Sequence, residues 1–354
     1  MTQEQILIRK SLRNGKTFTP FVEDIDIAPN QKEVVSGPLW SKSQAALTAI
    51  HTSSAQSVNQ KRYYYEVFNS QSNLQGSEAQ FSIAYGDSMG SGSSTGSGAQ
   101  NVYDFPTKAV YSQYRQMLLN DGDTLFTFAG GETSEYIYVI NVNRSRFKDR
   151  MDTKTWELTI SGSGNNYIKL IDDSVASTTD LAQLGGRIFN VRSGSIADGI
   201  YTADTTPWGL FYPDRGVIVL NGKALDASAS FATQRVPVTG SGFDNALKLF
   251  TSISGAMSSN ITRAFQGRTS EVISSTFYFI RMFNGEYNYT TNDSFVSSSS
   301  GVVKYDSMVR DPQIFVTTVG LYDDNQELLA VAKLSKPVKK SFDRELVIKV
   351  KLDY

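Results

Sequence analysis

The chain has 354 residues, 40% hydrophobic and 12% aromatic, with a formal net charge of −1, one histidine and no cysteine. Without cysteine there is no disulfide, no thiolate chemistry and no cysteine-held zinc. Without a basic excess there is no field to hold a phosphate backbone, which excludes nucleic-acid binding as the main task.

Charged residues make up 19% of the chain, below the roughly 25% usual in soluble domains. Ser, Thr, Asn, Gln and Gly supply the polarity instead, a surface that tolerates close packing against neighbouring subunits. The first residues lack the basic-then-apolar layout of a signal peptide, and no apolar run approaches the length of a membrane-spanning helix. The expectation is a soluble protein with no membrane insertion, made in the cytoplasm. The 18 Tyr and 20 Phe favour pleated, half-buried surfaces and so β-structure.

In chain order, residues 1–60 read as an arm or irregular lead-in, with one or two strands of the main sheet as the alternative. Aromatic strands follow at 62–68 and 79–85, separated by a polar turn. The Gly- and Ser-rich segment 86–100 reads as a flexible surface loop. Val110, Tyr114, Met117 and Leu118 share one face of a helix over 106–119, with Asp104 as N-cap and Pro106 near its first position. Strands are expected at 124–128, 135–142, 156–160, 167–171, 186–191 and 216–220. Asn221-Gly222 then signals a two-residue hairpin. A second helix is expected over 244–254, stopped by Gly255, and an aromatic strand over 275–283. Segments 313–321 and 327–334 form a hairpin. The closing strand 345–354 alternates, with Leu346, Ile348, Val350, Leu352 and Tyr354 on one face.

Residues that could carry chemistry are few. His51 is the only histidine, in a polar stretch, and reads as a surface residue rather than a base. Gly92 to Gly96 matches G-x-S-x-G but lacks the strand before and apolar helix after that a nucleophile elbow needs. The acidic pairs Asp121/Asp123, Asp172/Asp173 and Asp323/Asp324 fit turn chemistry, because Asp side chains bond nearby N–H groups. A weak Ca²⁺ site in one such turn stays open, without EF-hand spacing. Tyr63-Tyr64-Tyr65 and Phe277-Tyr278-Phe279 could stack bases or sugars, but with no basic interleaving they read as core or subunit interface. No catalytic, cofactor-binding or metal residue is assigned.

The stretch from Phe315 to Leu334, which contains Gly320-Leu321-Tyr322-Asp323, then Lys336-Pro337 and the closing Lys349-Val350-Lys351-Leu352-Asp353-Tyr354, resembles virion structural proteins of T4-like myoviruses, particularly cyanophages. The segments 286–292 and 111–116 add to that likeness, which covers mainly the last 80 residues. The resemblance implies a tail, baseplate or neck component and brings no catalytic residue with it.

The expected fold is mainly β: a β-sandwich-like core from 61–160 and 270–354, a second β-rich unit (161–269) inserted between them, and one or two short helices. The expected function is a non-enzymatic structural subunit of a contractile-tailed bacteriophage virion, present in multiple copies and in contact with other virion proteins. A receptor- or glycan-binding adhesin of tail-fibre type is the alternative, and a particle-bound hydrolase a third reading.

Overall fold

Aromatic and β-branched side chains fit a pleated surface, and strands accordingly dominate the chain. The structure, a computed structural model, describes residues 27–52, 63–71, 75–92, 106–161, 167–175, 181–183, 185–197, 200–201, 206–227, 245–258, 264–290, 292–297, 300–323 and 325–354. The first strands are β1 (Ile27–Pro38), β2 (Ala46–Leu47), β3 (His51–Thr52), β4 (Tyr64–Phe68), β5 (Ala79–Asp87), β6 (Phe126–Thr127) and β7 (Thr133–Ser134). Then come β8 (Tyr136–Val142), β9 (Arg150–Met151), β10 (Glu157–Ser161), β11 (Tyr167–Asp172), β12 (Leu181–Gln183), β13 (Gly186–Ser195) and β14 (Ile200–Tyr201). The last are β15 (Gly209–Tyr212), β16 (Val217–Asn221), β17 (Phe265–Gln266), β18 (Arg268–Met282), β19 (Ile314–Tyr322), β20 (Leu328–Lys340) and β21 (Leu346–Asp353). The helices are α1 (Pro106–Leu118), α2 (Gly222–Ala227), α3 (Asn245–Ser258) and α4 (Asp306–Arg310).

The chain divides into two compact units, Val34–Val272 and the described part of Met1–Glu33 with Ile273–Tyr354. In the larger unit a 13-stranded sheet runs in the order β2-β17-β10-β11-β13-β15-β16-β8-β5-β4-β3, with β12 and β14 paired to β13. Seven strand steps separate β17 from β5, roughly 34 Å in a flat sheet. Yet the ring of Phe265 on β17 lies 5.3 Å from that of Phe81 on β5. The sheet therefore curls back on itself. Trp40 seals the closure, 4.8 Å from Phe265 and 5.9 Å from Phe81, and α3 packs against β10 on one side and β5 and β4 on the other.

Alternation along the strands sorts side chains between the inside and outside of this curl. Tyr138, Ile140 and Val142 of β8 face the interior with Trp156, Phe211, Leu220 and Ile253. Ile137 and Val139 face outward, where Val110, Tyr111, Tyr114 and Leu118 of α1 cover them. Both faces of β8 are thus buried, which explains its almost unbroken apolar run. The Tyr111 hydroxyl donates to the Ser134 carbonyl and accepts from the Phe126 N–H, tying α1 to the β6–β7 hairpin.

The smaller unit is a sandwich. β21 pairs antiparallel with β18 from Ser275↔Asp353 to Met282↔Leu346, and Tyr278, Ile280, Met282, Ile348 and Val350 pack against Val316, Val319, Leu321, Ala330 and Leu334 of the β19–β20 hairpin. Lys340 lies wholly buried beside this core. Its ammonium donates to Asn284 O, Asn288 Oδ1 and Ser341 O at 2.9, 3.0 and 3.1 Å, so all three hydrogens are satisfied. Burial pushes its pKa down.

Several sequence-based expectations change. The strands of 61–160 and 161–269 share one sheet, so 161–269 is no separate insert, and 273–354 packs as a unit of its own. Residues 27–52 are not an irregular lead-in: they form β1, β2 and β3 and bury Leu39, Trp40 and Leu47, while 1–26 and 53–60 lie outside the described residues. Asn221-Gly222 makes no hairpin. Asn221 Oδ1 instead accepts from the N–H groups of Lys223 and Ala224, capping α2. Gly255 does not stop α3, which continues to Ser258. A Cβ on Gly255 would fall 2.6 Å from Ser161 Oγ, so this glycine serves close packing. Tyr354 is 69% exposed rather than buried with Ile348 and Val350. The mainly β class with few short helices holds, as do α1 at its expected span and the C-terminal hairpin and strand; the expected N-cap Asp104 lies outside the described residues.

Two stability outcomes follow from these cores. Trp156 is fully buried, 5.1 Å from Phe211, so Trp156→Ala should cost about 3–5 kcal/mol, read as a lower urea midpoint at unchanged slope. Lys340→Met keeps length but leaves three oxygens without their donor, and should cost about 1–3 kcal/mol. Calorimetry would show that loss as a lower melting temperature for the transition of the smaller unit.

Candidate functional site

Large apolar side chains that remain in water concentrate in the smaller unit. On the outward face of the β19–β20 hairpin, Phe315 is 61% and Val331 58% exposed, flanked by Tyr322, Leu328 and Leu329. Their neighbours Val316, Val319, Leu321, Ala330 and Ala332 point the other way, into the core. A two-stranded ribbon with an apolar inner face is expected; its apolar outer face is not buried by the fold, and exposed apolar patches of this kind are characteristic of interaction surfaces.

The two strands of this hairpin differ. Between Val316↔Val338 and Thr318↔Lys333, Thr317 of β19 stands opposite 334–337 of β20, and a second irregularity adds Leu329 to β20 as well. β20 also carries Lys333, Lys336, Pro337 and Lys339. Bulges, lysines and proline all hinder pairing at a strand edge. β19 has no charged residue and no proline, and among the described residues it pairs only with β20. Its outer edge is therefore the unguarded one.

The larger unit carries a polar cleft of about 280 Å³ lined by Tyr64, Glu66, Ser82, Asn141, Asn143, Arg144 and Arg215. Register aligns Glu66↔Ser82 and Ser82↔Asn141 in one row across β4, β5 and β8. This row lies on the face that α1 covers at Ala84 and Val139, two residues further along each strand. Phe81 and Val142 turn their side chains into the opposite core, so the cleft meets only their main chain. The Tyr64 hydroxyl donates to Glu66 Oε1 at 3.0 Å. Burial, then the Glu66 carboxylate, raises the Tyr64 pKa well above the ordinary phenol.

Two turns bring the arginines. Arg144 stands 4.6 Å over the Phe147 ring and donates to the Asp149 carbonyl. Arg215 sits in the β15–β16 turn, where Gly216 has φ +68° and a Cβ there would strike the Phe147 ring. Neither guanidinium pairs with a carboxylate among the described residues. The turn itself is pinned by Asp214, whose carboxylate receives Arg187 Nη2 at 2.6 Å and Nε at 3.3 Å.

The residues singled out by sequence fall elsewhere. His51 is half-buried in β3 opposite Phe68. Gly92 accepts, through its carbonyl, a hydrogen bond from Asn245 Nδ2; Ser93 to Gly96 lie outside the described residues. Asp123 closes a turn on the Asn120 carbonyl. Asp172 and Asp173 are buried, and their oxygens accept from Lys154 N, Ser174 N and the Asn190 main-chain and amide N–H groups. Burial raises the Asp172 pKa. Asp323 Oδ1 accepts from Glu327 N at 2.7 Å, and Asp324 lies outside the described residues. Among the described residues, no three Asp, Glu or His gather to hold a metal. Tyr65 enters the core while Tyr64 reaches the cleft. Lys349 stands 3.9 Å over Phe277 and 5.8 Å over Phe279, so cross-strand pairing supplies the basic neighbours that the local sequence lacks.

Sequence reasoning missed the cleft. Asn141 was a visible signal, the one polar residue in the apolar run of β8, but its row-mates Glu66 and Ser82 join it only through strand register. No known family model, curated protein or solved structure matches the chain.

The Asp214–Arg187 pair has a signed pH dependence. Burial tends to raise the Asp214 pKa, but the Arg187 hydrogen bonds and charge outweigh it and hold the carboxyl below its ordinary value. The folded state thus releases this proton at lower pH than the unfolded chain. The stabilisation is present above about pH 4 and lost as pH falls through the folded value. Asp214→Asn should lower the melting temperature at pH 7, with the difference from the parent narrowing below about pH 4; equal differences at both pH values would contradict it.

Proposed function

We propose that the chain is a non-enzymatic structural subunit of a contractile-tailed bacteriophage particle, at the tail, baseplate or neck, and that it works through contacts with other virion proteins. The observation that supports this reading most is the outward face of the β19–β20 hairpin. Phe315, Val331 and Leu329 stay in water beside an unguarded β19 edge. A monomer gains nothing from that arrangement, and an exposed strand edge invites pairing. In an assembly it offers both an apolar patch and a row of free main-chain groups to which a neighbour's strand can add.

The resemblance to T4-like myovirus virion proteins falls on the same residues, since the segments that carry it build β19, β20 and β21. The acidic pairs support a passive role in a complementary way. The oxygens of Asp172, Asp173 and Asp323 accept from main-chain and amide N–H groups, whereas acid–base hydrolysis of a glycoside requires two carboxyls opposed across a sugar-binding cleft.

Immunogold microscopy of contractile-tailed particles, with antibody against the recombinant chain, tests the proposal. Label at the tail, baseplate or neck is expected; label on the capsid shell, or none on intact and dissociated particles, overturns it. Phe315→Glu with Val331→Glu should leave the melting temperature within about 1 kcal/mol equivalent of the parent, because both side chains are exposed. The doubly substituted chain should be missing from purified particles.

A further inference from the structure

We propose that the cleft lined by Tyr64, Glu66, Ser82, Asn141, Asn143, Arg144 and Arg215 is a binding site for a carboxylate-bearing saccharide. Asn141 and Ser82 serve the fold in part, through hydrogen bonds to Tyr114 and Tyr64, but folding does not account for two arginines without a carboxylate partner among the described residues. Two residues along the strands the same sheet face is Ala84, Val139 and Val219, packed under α1. At the next row it becomes Glu66, Ser82 and Asn141, in register across three strands and open to solvent.

The cleft has a polarity. Arg215 comes from the β15–β16 turn and Arg144 from the turn after β8, and Glu66 lies on β4. By strand spacing, β4 and β16 are three steps or about 14 Å apart. The cation end holds two guanidiniums with no carboxylate partner among the described residues. Guanidinium groups bind carboxylates through paired, charge-assisted N–H bonds. The middle offers the Asn143 amide N–H group, whose oxygen is already taken by Ser145 N and Oγ, and the capacity that the Ser82 hydroxyl and Asn141 amide keep beyond their bonds to Tyr64 and Tyr114, a mix of donors and acceptors that suits vicinal sugar hydroxyls. The far end offers the Glu66 carboxylate as a pure acceptor and the Tyr64 ring as a flat wall.

A peptide carboxyl terminus fits less well. Its last side chain needs an apolar recess, and here Phe81 and Val142 face away into the core. The volume, about 280 Å³, sits at the lower edge of the roughly 300–1,000 Å³ of small-molecule sites, which limits the occupant to one or two rings.

The test is saturation-transfer NMR on the full chain with methyl glycosides of glucuronic acid, galacturonic acid and N-acetylneuraminic acid. Methyl glucoside, acetate and a short peptide with a free carboxyl terminus serve as comparisons. At least one acidic glycoside should bind at or below about 10 mM, with methyl glucoside and acetate giving no signal. Arg215→Gln and Arg144→Gln should each weaken binding about tenfold. Arg215 is exposed and unpaired among the described residues, so R215Q should melt with the parent, which separates lost binding from lost folding. The proposal is overturned if no acidic glycoside binds at that concentration, or if R215Q binds as the parent does. It is equally overturned if acetate, methyl glucoside or the peptide binds as well as the acidic sugars. These results are independent of where the chain sits in a particle.

Discussion

Contact between Phe81 and Phe265, with Trp40 wedged against both, closes the long sheet of the larger unit, and most of that unit's organisation follows from the closure. A flat antiparallel sheet of this width would expose one apolar face along its whole length. Curled, it converts one face into an interior shared by Trp156, Phe211, Leu220 and Ile253. α3 fills the seam, and Gly255 makes its approach to β10 possible, since a Cβ there would meet Ser161.

Once the interior is assigned, among the described residues the outer face is covered by α1 together with Phe126 and Phe128 beside it. Its apolar residues span Ala84, Val139, Val219 and Leu210, and the sheet is wider than one helix. Where α1 gives out, the strands switch to Glu66, Ser82 and Asn141. The polar cleft thus occupies the part of the outer face that the helix leaves in water, and the turns ending β8 and β15 place Arg144 and Arg215 at its border.

The smaller unit handles apolar surface differently. Its sandwich buries Ile280, Ile348, Val350 and Leu321, enough to hold a five-strand unit together at about 1.5–3 kcal/mol for each fully buried aliphatic side chain. It leaves Phe315, Val331 and Tyr354 outside. Edge protection is equally uneven, with every bulge-generating extra residue, the proline and the lysines gathered on β20. The asymmetry suits a hairpin that repels pairing on one side and accepts it on the other.

Local pattern alone determined much of this protein. The period-two alternation of 346–352 sends Ile348 and Val350 inward, the apolar spacing of Val110, Tyr114 and Leu118 makes a helix, and the polar run after Tyr322 makes a hairpin turn. Each is legible because its physical cause lies within a few residues. Tertiary structure decided which strands are neighbours, because the free energy of pairing depends on partners far away in the chain. So 161–269 joined the sheet of 61–160 through β8–β16 pairing, and Trp40 moved from a presumed lead-in to the seam of the core. Asn221-Gly222, a hairpin signal in isolation, became a helix cap because 223–227 found buried space for Leu225. The cleft belongs to the same class: Glu66, Ser82, Asn141 and Arg215 are separated by up to 149 residues of chain, and only register and turn geometry bring them to one surface.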